Sequence, residues 1–188
     1  MRVLLLHSSS DLYGASKVFL QTVLLLQKKG YKCTVVLSGE GPLSELFIKN
    51  NIEVYFINLG VLRRKYFTPK GIINRIQQWT KASRLLKNII LKKNIQCIYS
   101  NTAAVLIGAY VAQQNKINHI WHIHEIIEKP YFLHIFIKWC LQYGAQKIIV
   151  VSKAVQLHWG IGTIVYNGIE SLAISHKENY KSKFNIPS

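Results

Sequence analysis

Short apolar runs alternate along the chain with longer stretches in which apolar residues recur at helical spacing. Each run is bounded by turn residues or a polar cluster and is too short for a helix, which indicates a buried strand. The predicted strands are residues 2–6, 33–37, 53–57, 95–99, 118–123, 147–151 and 163–166. Alternation of strand and helix in this manner is typical of repeated βαβ units. The pattern therefore predicts an α/β fold with a sheet of about seven strands.

Two helices have recognisable ends. Residues 16–30 have the length and spacing of a helix, and Lys28, Lys29 and Gly30 form a stop signal at its end. Pro42 suits the first turn of a short second helix, where a missing backbone N–H costs nothing.

A third, longer helix begins at Thr68 and Pro69. Its apolar positions recur at spacings close to 3.6 residues; they are Ile72, Ile76, Trp79, Leu86 and Ile90. We expect this apolar face to be buried and the lysine-rich face to be solvated.

The strands are apolar at successive positions, which is typical of a parallel sheet covered by helices on both faces. A doubly wound, mainly parallel sheet is therefore predicted. Its strands end together at one edge, where such folds bind ligands. Polar residues follow the strands in the order His7 to Asp11, Ser38 to Gly41, Ser100 to Thr102, His124 and Glu125, Ser152 and Lys153, and Asn167 with Gly168.

The composition indicates one well-filled globular domain with an anionic partner. Of 188 residues 49% are apolar and 17% charged, and 24 Lys and Arg against 8 Asp and Glu leave a net charge of +16. No zinc finger, RRM signature or helix-turn-helix pattern is present, so nucleic acid is not the expected partner. A phosphorylated substrate and an acidic membrane surface remain.

The basic residues concentrate in residues 62–70 and in the helix that follows. A run of this kind is most often a solvated helix face. Where charge is combined with aromatic side chains, it also suits an anionic membrane surface. The candidates for that contact are Arg63, Arg64, Lys65, Tyr66 and Phe67.

The location indicated by the sequence is the cytoplasm, with peripheral attachment to the inner face of the cell membrane. No apolar run approaches the roughly 18 residues that span a bilayer, and the opening stretch is too short for a signal peptide. Three widely separated cysteines, Cys33, Cys97 and Cys140, form no CxxC pair. We expect them to be small buried side chains in a reducing compartment.

The loop "SSSDLYGAS" lies between the first strand and the first helix, where a nucleotide-binding fold places its phosphate turn. It has one glycine, and neither GxGxxG nor GK[ST] is present, which disfavours a dehydrogenase or a P-loop enzyme. What remains is a helix N-terminus near Gly14 whose free N–H groups can hold a phosphate or a hydroxyl-rich ligand.

His122 and His124 are two positions apart in a strand, so their side chains should share a face. A zinc site would need a third ligand, from His134 or Glu125, at no recognised spacing, and no metal site is expected. His122 lies deeper and suits a structural role. His124, at the strand exit beside Glu125, is better placed to face a ligand.

The chain resembles the N-terminal, acceptor-side domain of the GT-B glycosyltransferases of family 4, which are retaining, nucleotide-sugar-dependent enzymes. Five segments carry the resemblance in the family's order and spacing over residues 1–170. They are "LYGASKVFLQTVLLLQKKGYKCTVVLSGEGPLSELF", "IYSNT", "IWHIHE", "IIVVSKAV" and "VYNGIE". The implied fold is the Rossmann-like half of a GT-B enzyme.

The resemblance implies roles for individual residues. Gly14 would lie beneath the donor diphosphate, and His124 would face the donor sugar as a catalytic residue, oriented by Glu125. Many relatives have two glycines where this chain has Tyr13 and Gly14, which leaves the phosphate contact less defined. The expected substrate-binding residues are Ser10, Tyr13, Gly14, Asn101, Ser152 and Asn167.

The resemblance also implies a domain division and a reaction. Residues 1–166 would form the N-terminal domain, and residues 167–188 a linker and the start of a C-terminal donor-binding domain. The complete enzyme would transfer a sugar from a nucleotide sugar to a surface polysaccharide, a lipid-linked glycan or a similar acceptor, without metal or other cofactor. This chain alone would be inactive. Two alternatives are a non-catalytic partner subunit and a nucleotide-sugar epimerase of the same shape.

Overall fold

The computed structural model describes residues 1–61, 66 and 68–168. Its strands form one seven-stranded sheet in the order β3-β2-β1-β4-β5-β6-β7, and every neighbouring pair is parallel. The strands are β1 (Arg2–Leu6), β2 (Lys32–Leu37), β3 (Glu53–Phe56), β4 (Cys97–Asn101), β5 (Asn118–Ile123), β6 (Lys147–Val150) and β7 (Thr163–Ile164). The predicted α/β, doubly wound parallel sheet is confirmed.

Helices connect successive strands. They are α1 (Gly14–Lys28), α2 (Pro42–Lys49), α3 (Pro69–Lys93), α4 (Ile107–Gln114), α5 (Tyr131–Gly144) and α6 (Lys153–Trp159). Pro42 is the first residue of α2, and α1 ends just before Gly30, whose φ of +83° closes the stop signal. These helix ends agree with the sequence prediction.

The two faces of the sheet pack against different helices, because successive strand residues point in opposite directions. Val3 and Leu5 pack with Phe19 of α1 and Phe47 of α2. Leu4 and Leu6 pack instead with residues of α3 and α4. A third cluster joins β5 and β6 to α5 and α6 around two fully buried indoles, Trp121 and Trp159.

Strand β4 ends two residues later than predicted, at Asn101 instead of residue 99. The prediction placed the polar residues Ser100 and Asn101 in a loop, yet both are fully buried in the strand. Burial is tolerated because both side chains are hydrogen-bonded; Ser100 Oγ lies 2.9 Å from His119 Nε2. The last strand is also shorter than predicted, with two residues.

Helix α3 begins as predicted, since Thr68 Oγ1 accepts a hydrogen bond from the Gly71 N–H at 3.1 Å. The prediction for its apolar face is wrong at the first turns: Leu86 and Ile90 are buried, but Ile72 and Ile76 are 46% and 61% exposed. A helix of 25 residues is about 37 Å long, whereas its neighbour α4, with eight, is about 12 Å. The short neighbour leaves the first turns of α3 uncovered.

The cysteines are all free, but only Cys97 is buried; Cys33 and Cys140 are half-buried. The expectation of burial therefore fails for two of the three. Among the described helices, none combines the length and the apolar character needed to cross a bilayer.

Gly108 shows how closely α4 packs on the sheet. A Cβ at this position would overlap the Ser100 hydroxyl and lie 3.1 Å from Leu6 Cδ1 and 3.2 Å from His119 Nε2. We expect Gly108→Ala to lower the free energy of unfolding by about 2 kcal/mol, because it overpacks the interface and disturbs a buried hydrogen bond. Urea denaturation measures this loss.

The matched control is Gly14→Ala, because no atom lies within 4 Å of a Cβ built there. Gly14 is the first residue of α1, so alanine should change stability by only a few tenths of a kcal/mol. Equal urea midpoints for the two variants would contradict the close packing of α4.

Candidate active site

A hydrogen-bonded network joins the carboxyl ends of β1, β4 and β5. Asn101, at the end of β4, is completely buried. Its Nδ2 lies 3.3 Å from the Ala15 carbonyl oxygen and 3.1 Å from His7 Nδ1, and its Oδ1 lies 2.9 Å from His124 Nε2. A single amide therefore links the first turn of α1 to the exit of β5.

The Ala15 carbonyl fixes the protonation pattern of this network. A carbonyl oxygen can only accept, so the NH₂ group of Asn101 must face it and Oδ1 must face His124. His124 Nε2–H then donates to Oδ1, and its Nδ1 carries the lone pair. No described residue donates to this Nδ1, which leaves it available to a ligand hydroxyl.

The same reasoning defines His7. Its Nδ1 accepts from Asn101, so its Nε2–H donates to Ser16 Oγ at 2.9 Å. His7 and Ser16 are both buried. The imidazole of His7 thus holds the first turn of α1 against the end of β1.

The histidines at this edge are held neutral. Burial, together with smaller contributions from charge repulsion by His122 and His7, lowers the pKa of His124 to about 3. Burial also lowers the pKa of His7 and of His122 to about 4. At neutral pH His124 is therefore a hydrogen-bonding group without charge.

His122 and His124 lie on the same side of β5, with ring centroids 4.2 Å apart, as the strand spacing predicts. His122 is buried and its Nδ1 is hydrogen-bonded to the Tyr99 hydroxyl. His134 is elsewhere, paired with His158 at 3.1 Å. In the described part of the chain, no three His, Cys, Asp or Glu side chains are grouped as metal ligands.

Both carboxylate oxygens of Glu125 accept hydrogen bonds from backbone N–H groups. Its Oε1 accepts from the Ala103 N–H at 2.8 Å and its Oε2 from the His124 N–H at 3.0 Å. Burial raises the pKa of this carboxyl. The indole Nε1–H of Trp159 donates to the Glu125 carbonyl at 3.0 Å. Glu125 is therefore placed to position the main chain at His124.

The N-terminus of α1 is open. Tyr13 precedes the helix without a side-chain cap, and the first turn has no acidic residue. Tyr13 is 77% exposed, and no atom lies within 4 Å of a Cβ built on Gly14. Free N–H groups and the positive end of a helix dipole are features that favour anions, and an anion at this position stays a prediction.

The other predicted substrate-binding residues differ in their surroundings. The Ser10 hydroxyl donates to the Gly39 carbonyl, and its own carbonyl accepts from the Leu43 N–H at 2.9 Å, which ties two edge loops together. Ser152 caps α6 by accepting from the Val155 N–H at 3.2 Å. Asn167 is exposed. Their contact with substrate stays a prediction.

The proposed membrane segment lies almost entirely outside the described residues. Arg63, Arg64, Lys65 and Phe67 are not described. Tyr66 is, and the guanidinium of Arg75 lies 4.0 Å from its ring centroid.

Sequence reasoning placed His7 among the polar residues at the sheet edge but assigned no role to it or to Ser16. His7 directly follows β1, which is the same signal that identified His124 at the end of β5. Ser16 could not be recognised, because its role depends on the angle at which α1 leaves the loop.

A Rossmann-like parallel sheet with a polar edge at its carboxyl end is an architecture shared by many nucleotide-binding proteins. The sequence model of Glycosyltransferase Family 4 matches residues 13–170. The chain belongs to this family, which confirms the resemblance seen in its segments.

Solved structures agree in fold. A glycosyltransferase from Rickettsia africae is 18% identical with a TM-score of 0.69, covering 100% of this chain and 50% of its own. Anabaena Alr3699/HepE in complex with UDP-glucose is 19% identical with a TM-score of 0.67, covering 90% and 44%. The Neisseria meningitidis UDP-GlcNAc 2-epimerase bound to UDP-GlcNAc is 11% identical with a TM-score of 0.58, covering 89% and 46%.

The chain spans about half the length of these solved structures. No curated protein sequence matches it.

Proposed function

We propose that this chain is the acceptor-side half of a retaining glycosyltransferase that transfers a sugar from a nucleotide sugar to a glycan, surface polysaccharide or lipid-linked acceptor. The observation that supports this best is the Asn101 bridge. Asn101 is hydrogen-bonded on one side to the first turn of α1, whose open N-terminus suits a diphosphate. On the other side it is hydrogen-bonded to the His124 imidazole, which has a free acceptor nitrogen. A diphosphate and the sugar it carries need these two groups side by side.

His124 would contact the donor sugar through Nδ1, which can accept a hydrogen bond from a sugar hydroxyl. Glycosyl transfer develops positive charge at the anomeric carbon. An imidazole kept neutral by burial can brace the sugar there without adding a repelling charge. Asn101 and Glu125 would act through His124, as positioning residues for its ring and its backbone.

The first turn of α1 would receive the diphosphate. Stabilisation of the departing diphosphate would come mainly from a second, donor-binding half, into which residues 167–188 would lead. We accordingly expect the chain alone to bind a donor weakly and to be inactive. Its place would be the cytoplasm, with the basic residues 63–67 directed at an anionic membrane.

Family membership favours transfer over the epimerase alternative, although the fold alone accommodates both. The test uses the complete enzyme with UDP- and GDP-sugars labelled in the sugar. Label should pass to a glycan or lipid acceptor. Conversion of the donor to its epimer without transfer would overturn the proposal, as would a complete protein that binds no nucleotide sugar.

Gly14→Ala tests the placement of the diphosphate. Alanine fits the fold at this position, so a lost function cannot be ascribed to lost stability. A methyl group over the first turn should obstruct the approach of the diphosphate and raise the KM for the donor by about tenfold, or 1.4 kcal/mol. Steady-state kinetics on the complete enzyme give this value, and an unchanged KM would place the diphosphate elsewhere.

A further inference from the structure

Helix α5 is apolar on two opposite faces. Leu133, Ile137 and Leu141 point into the core and are buried. Outward-facing Phe136, Trp139 and Tyr143 recur every three or four residues along the helix, with Ile135 beside them, and Trp139 is 59% and Tyr143 70% exposed. An exposed apolar stripe of this length is unusual on a soluble surface and marks an interaction site.

The stripe borders a groove between α3 and α5, with α4 as its floor. The groove has a volume of about 710 Å³ and is lined mainly by aromatic and aliphatic side chains. On the α3 side it is bounded by Ile76 and Trp79. Ile76, which the sequence predicted to be buried, therefore belongs to the same exposed surface as the stripe on α5.

The charges on these helices have one sign. Helices α3, α4 and α5 contain no Asp or Glu, whereas α3 has seven Lys and Arg and α5 has Lys138. Arg75 lies on the groove wall, and its Nε has no acceptor among the described residues. Lys81 and Arg84 lie beside Ile76 on the outer side of α3.

We propose that the α3–α5 face, defined by Ile76, Trp139 and Tyr143 with Arg75, Lys81 and Arg84 beside them, docks on an anionic phospholipid bilayer. Trp and Tyr favour the headgroup level of a bilayer, and nearby Lys and Arg are attracted to anionic lipid. Because α3, α4 and α5 carry basic side chains and no acidic one, the charge of this face matches the uniformly negative surface of such a bilayer. The docking needs neither residues 63–67 nor the transfer reaction.

The first test measures partition of the 188-residue chain onto vesicles of phosphatidylcholine containing phosphatidylglycerol. Binding should weaken with salt and on pure phosphatidylcholine. The double variant Trp139→Gln, Tyr143→Gln should lower the partition coefficient by about tenfold, because it removes two interfacial aromatic anchors. Leu157→Gln is the matched control: Leu157 is 72% exposed on α6, and its replacement should leave partition unchanged.

A second test detects the contact through the native tryptophans. Trp121 and Trp159 are fully buried, Trp79 is half-buried on the α3 wall of the groove and Trp139 is exposed, so brominated lipid should quench the indoles of this face and spare the other two. Trp139→Phe should remove the larger part of that quenching. The proposal would be overturned if brominated lipid caused no quenching, or if the double variant and the control partitioned equally. It would also be overturned if light scattering showed a dimer formed through the α3–α5 face that does not bind vesicles.

Discussion

Between pH 7 and pH 5 the domain is expected to lose about 7 kcal/mol of its free energy of unfolding. Four histidines are neutral in the fold, because burial lowers the pKa of His7, His119 and His122 to about 4 and that of His124 to about 3. In the unfolded chain their pKa returns to about 6.5, so each proton taken up on unfolding contributes about 2 kcal/mol over this range. Small domains are stable by about 5–15 kcal/mol, so a domain in the lower part of that range unfolds near pH 5.

The direction of this effect follows from the number of bound protons. Between pH 6.5 and about 4 the unfolded chain holds more protons on these histidines than the folded domain does, so acid favours unfolding. Above pH 6.5 both states are neutral and the contribution is complete. Glu125 opposes the trend, since burial raises its carboxyl pKa, but it is one group against four.

Urea denaturation at a series of pH values measures the effect. The slope of unfolding free energy against pH should correspond to nearly four protons near pH 5, and His119→Gln should lower that number by about one. His119 is the suitable position because it lies outside the candidate site, bonded to Gly144 O at 2.7 Å and to Ser100 Oγ. A stability that is flat from pH 7 to pH 5 would contradict the buried neutral histidines.

Replacement of His124 by alanine is expected to lower kcat of the complete enzyme by about two orders of magnitude. The hydrogen bond to Asn101 fixes the tautomer of this imidazole. Its Nδ1 receives no hydrogen bond from the described residues and can accept one from a sugar. Removal of the imidazole takes away a contact to the donor sugar and leaves the Asn101 Oδ1 without its donor. The side chain is only half-buried, so the domain should stay folded.

His124→Gln separates contact from positioning. Glutamine can keep an N–H donor to Asn101 Oδ1 but has no acceptor equivalent to the imidazole Nδ1. If the sugar contact matters, the glutamine variant should lose nearly as much kcat as the alanine variant, with thermal melting unchanged. Restored kcat in the glutamine variant would assign His124 a role in the network alone, and unchanged kcat in both would remove it from the mechanism.

The sheet was predictable because each strand is a short apolar run followed at once by polar residues. The same signal predicts that His124, Gly14 and Ser152 lie at one edge. It fails at β4, where Ser100 and Asn101 look like loop residues by polarity alone. Both can be buried in the strand because His7, directly after β1, and His119 of β5 are hydrogen-bonded to them, which are long-range contacts that no local pattern contains.

The exposed part of α3 was missed for a similar reason. Helical spacing identifies which residues share a face, and it did so correctly for Ile72 and Ile76. Whether that face is covered depends on the length of the neighbouring helix, which is set by a different segment of the chain. The double-sided character of α5 likewise depends on which of its faces meets the sheet.

The most direct measurement is a structure of the complete enzyme with an unreactive analogue of its nucleotide sugar. The account predicts a sugar hydroxyl at hydrogen-bond distance, about 3 Å, from His124 Nδ1, and a phosphate oxygen on the N–H groups of the first turn of α1. A bound sugar remote from His124, with the diphosphate away from Gly14, would contradict it.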